Sequence, residues 1–237
     1  MIYAIRLLGA LALSLLVSTA FASDISPREG VDYLVLEKPQ PAASGDKVEV
    51  IEFFGYFCNH CFSLDVALDD WARRQDKNVA FRRVHVRFGS GSVAQQRLFY
   101  TLSAISQTAG SLHHKAFESI HVKRQPLRTE SQIEAFITQN VFSPEKFIEA
   151  FRSPQVRTLG DEAARLQTLY SIDGVPAIVI DGRFITSPAI VSQGDSSIRT
   201  AKEAQEKTLQ VMDQLVEHIL GERPAKQRTR TPANRKQ

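Results

Sequence analysis

The sequence carries no internal repeat, no long low-complexity tract and, past its N-terminal segment, no apolar run of membrane-spanning length. The first absence excludes a solenoid or propeller, and the last excludes a chain that crosses a bilayer on several helices. Cysteine is scarce: the 237 residues hold two, Cys58 and Cys61. A zinc site built on them would need two further Cys or His ligands at matching spacing. The one other close cluster is His113-His114, which reads as a solvated pair on a helix surface, so no metal is expected. Hydrophobic residues at 43% and charged residues at 23% are ordinary for a globular protein, and the length suits one large domain or a domain with an insertion.

Both ends of the chain are unlike its middle. Arg6 precedes an apolar run, Leu7 to Val17, and then Thr19-Ala20-Phe21-Ala22. A short charged region, an apolar stretch and an A-x-A site form the pattern of a secretory signal, too short to span a bilayer comfortably. Residues 1–22 are therefore expected to be removed after Ala22, rather than kept as an anchor, leaving a soluble protein where disulfides can form. Residues 222–237 hold Arg223, Lys226, Arg228, Arg230, Arg235 and Lys236 against Glu222, a net of +5. Taking that +5 and the +1 of Arg6 from the whole-chain +3 leaves −3 for the body, so the basic charge belongs to the tail. With Pro224, Pro232 and no large apolar residue, this tail reads as disordered, either a solvated appendage of little consequence or a weak attraction to anionic surfaces. No nucleic-acid partner is expected, and the protein is expected to be a monomer.

Ser23 to Asp46 reads as a leader lying on the domain, with a strand at Tyr33–Leu36. Val48 to Phe54 is a near-continuous apolar run rich in β-branched and aromatic residues, which suits a central strand covered on both faces. After Gly55 and the cysteine pair, Phe62 to Arg74 has helical spacing, with Leu64, Ala67, Leu68 and Trp71 on one stripe. Val79 to Phe88 alternates, setting Phe81, Val84, Val86 and Phe88 against Arg83, His85 and Arg87. Strand, helix, strand implies a parallel pair with a right-handed crossover. From Ser92 to Tyr170 the pattern is helical only. A capping box at Thr129–Gln132 opens one helix at Ile133–Thr138, and Ser143-Pro144 and Pro154 open two more.

Strands resume at Ala177–Ile180, turn at Asp181-Gly182 and return through Arg183 to Ile185, a strong hairpin signal. A capping box at Thr200–Glu203 leads a last helix, its apolar face running from Leu209 through Met212, Leu215, Val216, Ile219 and Leu220 to Gly221. The expectation is an α/β domain made of residues 23–91 and 171–221, with residues 92–170 inserted as helices.

Cys58-Asn59-His60-Cys61 sits where the first central strand gives way to a helix. Unsatisfied N–H groups and partial positive charge at a helix start stabilise a thiolate, and only the thiolate attacks a disulfide. Cys58 is therefore expected to be the exposed, low-pKa sulfur and Cys61, one turn in, the buried resolving thiol. His60, between them, is expected to favour the thiolate over the disulfide and so make the oxidised pair more oxidising. A structural disulfide is the alternative, but a bridge closing so short a loop stabilises little.

Pro176, after Val175 and heading a strand, is either an ordinary loop proline or, beside a dithiol, a cis proline that leaves the Val175 backbone free to pair with an incoming peptide. Glu52 interrupts the apolar strand. It reads either as a buried proton acceptor for Cys61 or as an outward-facing residue at a strand edge.

LEKP at Leu36–Pro39, EFFGYFCNHC at Glu52–Cys61 and GVPAIVIDGRF at Gly174–Phe184 resemble the DsbA family of periplasmic thiol oxidants, and the likeness runs over Gly30–Leu220. The resemblance implies an α/β thioredoxin-like fold with an inserted helical domain. It also implies a Cys58–Cys61 disulfide donated to reduced secreted polypeptides through a mixed disulfide at Cys58, with reoxidation by a quinone-linked membrane partner of the DsbB type and no cofactor in the chain. Glu52 would be the buried acid and Pro176 the cis proline. Asn59 departs from the best-known member, which carries proline there.

The alternatives are a disulfide isomerase or reductase of the same fold and a non-redox peptide-binding chaperone. Ser23–Lys47 is too short for the N-terminal dimerisation domain that isomerases of the DsbC type carry.

Overall fold

A computed structural model describes residues 26–105, 109–140 and 143–223. The expected signal, residues 1–22, and the basic tail from residue 224 onward lie outside the described residues.

The sheet is built on β2 (Val48–Phe54), every residue of which is buried. It runs parallel to β3 (Val79–His85), with Val50 opposite Phe81 and Glu52 opposite Arg83. On its other side it pairs antiparallel with β4 (Ala177–Ile180), which turns back into β5 (Phe184–Thr186). A two-residue strand β1 (Leu34–Val35) closes the edge against β5, giving the order β1-β5-β4-β2-β3. The expected strand at Tyr33–Leu36 is thus present in shorter form.

Because β2 is covered on both faces, alternation does not mark an inside and an outside. Val48 and Val50 pack with Leu64, Leu68 and Trp71 of α1 (Asn59–Arg74) and with Val211, Met212, Leu215 and Ile219 of α8 (Ala201–Glu222). Ile51 and Phe53 face the other way, into a cluster with Ala163, Tyr170 and Ile172. Trp71 also donates its indole N–H to Asp213 at 2.7 Å, tying α1 to α8.

Between β3 and β4 lie α2 (Val93–Ile105), α3 (Ala109–His121), α4 (Glu130–Asn140), α5 (Pro144–Arg152) and α6 (Pro154–Leu169). They form their own core of Leu98, Phe117, Ile133, Phe147 and Phe151, which reaches the sheet through Phe54 and Tyr56. The caps at Thr129 and Thr200 follow the sequence signals, whereas Ser143 stands at the N-cap of α5 without a side-chain cap bond. Gln132 and Thr129 exchange backbone-to-side-chain bonds at 3.3 Å, the Ser153 hydroxyl accepts from Val156 N–H at 3.2 Å, and the Thr200–Glu203 box is complete.

The first helix starts at Asn59, directly after its N-cap Cys58 as the dithiol reading expects and three residues ahead of the Phe62–Arg74 stretch whose apolar spacing marks it. Three readings change. The expected alternation over 79–88 breaks. β3 ends at His85, which is wholly buried, while Phe88 is 37% exposed, and period two puts Phe81, Arg83 and His85 on one face. Helices α2 and α3 cover the end of that strand, so a polar ring lies inside and an apolar one outside. A short helix α7 (Pro188–Gly194), capped by Ser187, was not anticipated. Finally, α8 continues to Glu222, and Arg223 pairs with Asp181 at 2.8 Å, so the first two residues of the expected tail belong to the folded body.

Candidate active site

Cys58 is the N-cap of α1, its backbone extended (φ −89°, ψ 117°), and its sulfur accepts from the Cys61 backbone N–H at 3.2 Å. Gly55 makes room for the approach: a Cβ there would lie 2.3 Å from the Phe57 ring, which folds back beneath the turn. Cys58 is half-buried and Cys61 fully buried, and both are free thiols. The Cys58 thiol also lies 3.3 Å from the carbonyl oxygen of Val175, and the Val175–Pro176 peptide is cis.

These contacts divide the two sulfurs chemically. The Cys61 thiol donating to the Cys58 sulfur is the largest influence holding Cys58 down to about 7. Burial opposes it, and the backbone N–H groups of Cys61 and His60 assist. Burial pushes Cys61 well above the ordinary thiol value, and donation to Cys58 adds to that. His60 itself is exposed on the rim, and its contact with the sulfur is through its backbone N–H. Asn59 is exposed at the first helical position.

Glu52 is buried, so the strand-edge reading falls. It sits on the α1 face of β2 and accepts from Arg83 Nε at 2.7 Å. Burial nevertheless lifts its carboxyl to about 7, with Arg83 opposing. Arg83 also bonds Asp65 at 3.2 Å and Asp69 at 2.7 Å, and the three carboxylates keep it charged. Ligand atoms of Asp65, Asp69 and His114 come within 4.8 Å of one another, but the Arg83 guanidinium already bonds both carboxylates, so the cation they attract is supplied by the chain.

His113-His114 is not the solvated surface pair the sequence suggested. His113 is buried between Tyr56 and Asp65, and His114 bonds Asp65 and Asp69. The physical reason is that α3 packs against α1, which brings two aspartates to the histidines. Sequence reading also passed over Tyr56, Asp65, Arg83, His85 and His121. Of these only Arg83 had a signal, since a parallel strand in register with β2 places it opposite Glu52.

Beside the dithiol a cleft of about 960 Å³ runs from His60 past Val175 and Pro176 to Leu34, Tyr170 and Ile190. Leu34 and Val35, on the edge strand, are 43% and 44% exposed.

The DSBA-like thioredoxin domain family matches residues 49–204. The chain belongs to the DsbA family. It is 34% identical over 205 residues to the thiol:disulfide interchange protein DsbA of Burkholderia cepacia, covering 84% of this chain and 96% of that one. With the Bordetella parapertussis protein of the same name it is 31% identical over 211 residues, 89% of this chain and 94% of the other. A crystal structure of a Pseudomonas aeruginosa DsbA variant superposes with a TM-score of 0.73 at 26% identity, over 82% of this chain and 98% of that one. Xylella fastidiosa DsbA gives a TM-score of 0.69 at 29% identity, over 83% and 99%. The fold is accordingly a DsbA-like thioredoxin fold with a helical insertion, and the protein is a thiol:disulfide oxidoreductase. Among the described residues no helix is long and apolar enough to cross a membrane.

Proposed function

We propose that the protein donates a Cys58–Cys61 disulfide to reduced, newly exported polypeptides. A substrate thiolate attacks Cys58, the Cys58–Cys61 bond breaks, and Cys61 leaves with the electron pair and takes a proton from the Glu52 carboxyl. A second substrate thiolate attacks the substrate sulfur of the mixed disulfide, and Cys58 leaves as a thiolate. Two electrons pass to the protein, and a quinone-linked membrane oxidase of the DsbB type removes them.

The observation that carries this reading is the hydrogen bonding of the Cys58 sulfur. Stabilised by the Cys61 thiol and by backbone N–H groups, that thiolate is a good leaving group, which is what a donor of disulfides needs. The Val175 carbonyl, 3.3 Å from the Cys58 sulfur, and the cleft beside it suit an extended peptide held next to Cys58. His60 supports the thiolate at the rim, Glu52 serves the proton of Cys61, and Val175, Pro176 and Asn59 shape the approach. Cysteine exchange of this kind belongs in an oxidising compartment, here the periplasm, reached by removal of residues 1–22 after Ala22. The protein acts as a monomer, without a cofactor, metal or nucleic acid.

The test is to measure the reduction potential of the purified mature protein and its oxidation of a reduced, unfolded substrate. A potential below about −300 mV, where structural disulfides lie, with no substrate oxidation, would sink the oxidase reading. Rearrangement of scrambled disulfides without net oxidation would favour an isomerase instead.

A further inference from the structure

Tyr56, two residues ahead of Cys58, is held by three histidines. His85 Nε2 accepts from its backbone N–H at 3.1 Å, His121 Nε2 donates to its carbonyl oxygen at 2.8 Å, and its hydroxyl lies 2.9 Å from His113 Nδ1. His85 belongs to the sheet, whereas His113 and His121 come from α3 in the insertion. The second nitrogen of His113 faces Asp65 Oδ1 at 3.0 Å. A carboxylate can only accept, so Nε2 carries the proton and donates. Burial holds His113 below the usual histidine value, which leaves the ring neutral and Nδ1 free to accept from the Tyr56 hydroxyl.

Asp65 is where this chain of bonds meets the dithiol's charge. It receives His113, His114 and Arg83, and Arg83 in turn divides its guanidinium among Asp65, Asp69 and Glu52. The groups facing one another are thus Glu52 on β2, Asp65 and Asp69 on α1, Arg83 on β3, His113 and His114 on α3, and Tyr56 in the loop before α1. One cation serves three carboxylates, so each donor supplied to Asp65 from elsewhere leaves more of that cation for Glu52.

We infer that His113 is a positioning residue for disulfide exchange: from the helical insertion it holds Tyr56 ahead of Cys58 and, through Asp65, sets how firmly Arg83 holds Glu52. The inference rests on Glu52 serving the proton of Cys61. When Cys61 resolves a mixed disulfide, its thiol proton goes to the ionised Glu52, its sulfur bonds Cys58, and the partner leaves as a thiolate. Losing the His113 donor lets Asp65 draw Arg83 away from Glu52. The neutral form of Glu52 is then favoured, and the carboxylate becomes available only at higher pH.

Two polar replacements separate the halves of the ring. Glutamine extends an amide to the Nε2 side and keeps a donor for Asp65, while the shorter asparagine reaches only the Nδ1 side, toward Tyr56. The experiment forms the mixed disulfide of Cys58 with glutathione at low pH, jumps the pH, and follows glutathione release from wild type, His113→Asn, His113→Gln and Glu52→Gln. His113→Asn is expected to move the midpoint of the pH profile upward and slow release at pH 7 by about threefold or more. His113→Gln is expected to keep the wild-type midpoint. Equal midpoints in the two His113 variants overturn the inference. A profile unchanged in Glu52→Gln overturns instead the role of Glu52 on which it rests, and the two failures are read from different lanes of the same experiment.

Discussion

Arg83 Nε lies 2.7 Å from Glu52 Oε2, on adjacent parallel strands, with the carboxylate almost wholly buried and the guanidinium 13% exposed. The pair does not bring Glu52 back to an ordinary carboxylate value, because desolvation of the anion outweighs the attraction and Asp65 and Asp69 compete for the same cation. An acid poised near 7 can both give and take a proton near neutral pH.

That poise has a cost in stability that depends on pH. The unfolded carboxyl titrates at about 4.5 and the folded one at about 7. Below 4.5 the proton is bound in both states. As pH rises through 7 the unfolded chain has already released it, so the fold loses stability, in the limit about 3 kcal/mol. Urea unfolding at pH 4.5 and pH 8 should show a smaller loss in Glu52→Gln than in the wild type. Equal losses would mean that Glu52 titrates normally in the fold.

The Cys58 thiolate depends first on the Cys61 thiol and only then on backbone N–H groups. Cys61→Ala removes that donor and leaves the helix start intact. Thiolate absorbance in the wild type should titrate with a midpoint of about 7, and in Cys61→Ala the midpoint should move up toward the ordinary 9.0. Separately, Cys61→Ser should trap mixed disulfides with substrates, while Cys58→Ser should abolish turnover. No trapped partner in Cys61→Ser would reverse the assigned order of attack.

What the sequence revealed and what it hid divide along a physical line. Cys58 and Cys61 are local: a spacing, a strand end and a helix start are readable within a dozen residues, and Val48–Phe54 and Ala177–Ile180 were bounded to the residue for the same reason, whereas the cis form of Pro176 could be read only beside a dithiol distant in sequence. The Thr200–Glu203 box likewise announces its helix. Tyr56, Asp65, His85, His113 and His121 are polar or aromatic residues whose meaning comes only from docking α3 onto α1 and the sheet. No periodicity in α3 distinguishes a histidine aimed at solvent from one aimed at Asp65. His85 looked outward because alternation assumes one wet face, and the insertion removes it.

The hairpin between β4 and β5 offers a test of the local kind. Asp181 and Gly182 both have positive φ, 53° and 65°, which is the two-residue turn that Asp-Gly favours. A Cβ on Gly182 would also lie 2.0 Å from the Gln40 carbonyl oxygen, so the leader segment closes over the turn. Gly182→Ala combines left-handed strain with a backbone clash and should destabilise by about 2 kcal/mol or more. The Cys58 thiolate midpoint should stay where it is, since the turn lies at the far end of β4. A fall in thermal midpoint without a change in thiolate titration is the expected pair of results. An unaltered thermal midpoint would show that the leader does not hold against the turn.

His85 makes the opposite demand on pH from Glu52. Its Nε2 accepts from Tyr56 N–H, so the proton sits on Nδ1 and is donated to the Val86 carbonyl at 2.8 Å. A second proton would have no acceptor among the rings of Phe54, Tyr56, Phe57 and Phe99 that surround it, and burial lowers its pKa to about 3. In the unfolded chain it titrates near 6.5. Above 6.5 the ring is neutral in both states and the fold loses nothing. As pH falls from 6.5 toward 3 the unfolded chain binds a proton that the fold refuses, and stability drops by up to roughly 5 kcal/mol. His85→Gln keeps an acceptor for Tyr56 and cannot titrate, so its stability should fall less between pH 6.5 and pH 4 than that of the wild type. Comparing each variant with wild type at the same pH separates the two groups, because Glu52 favours the fold at the acid end of this window and His85 opposes it. A His85→Gln profile parallel to wild type over that range would show that the ring takes up its second proton without unfolding the site.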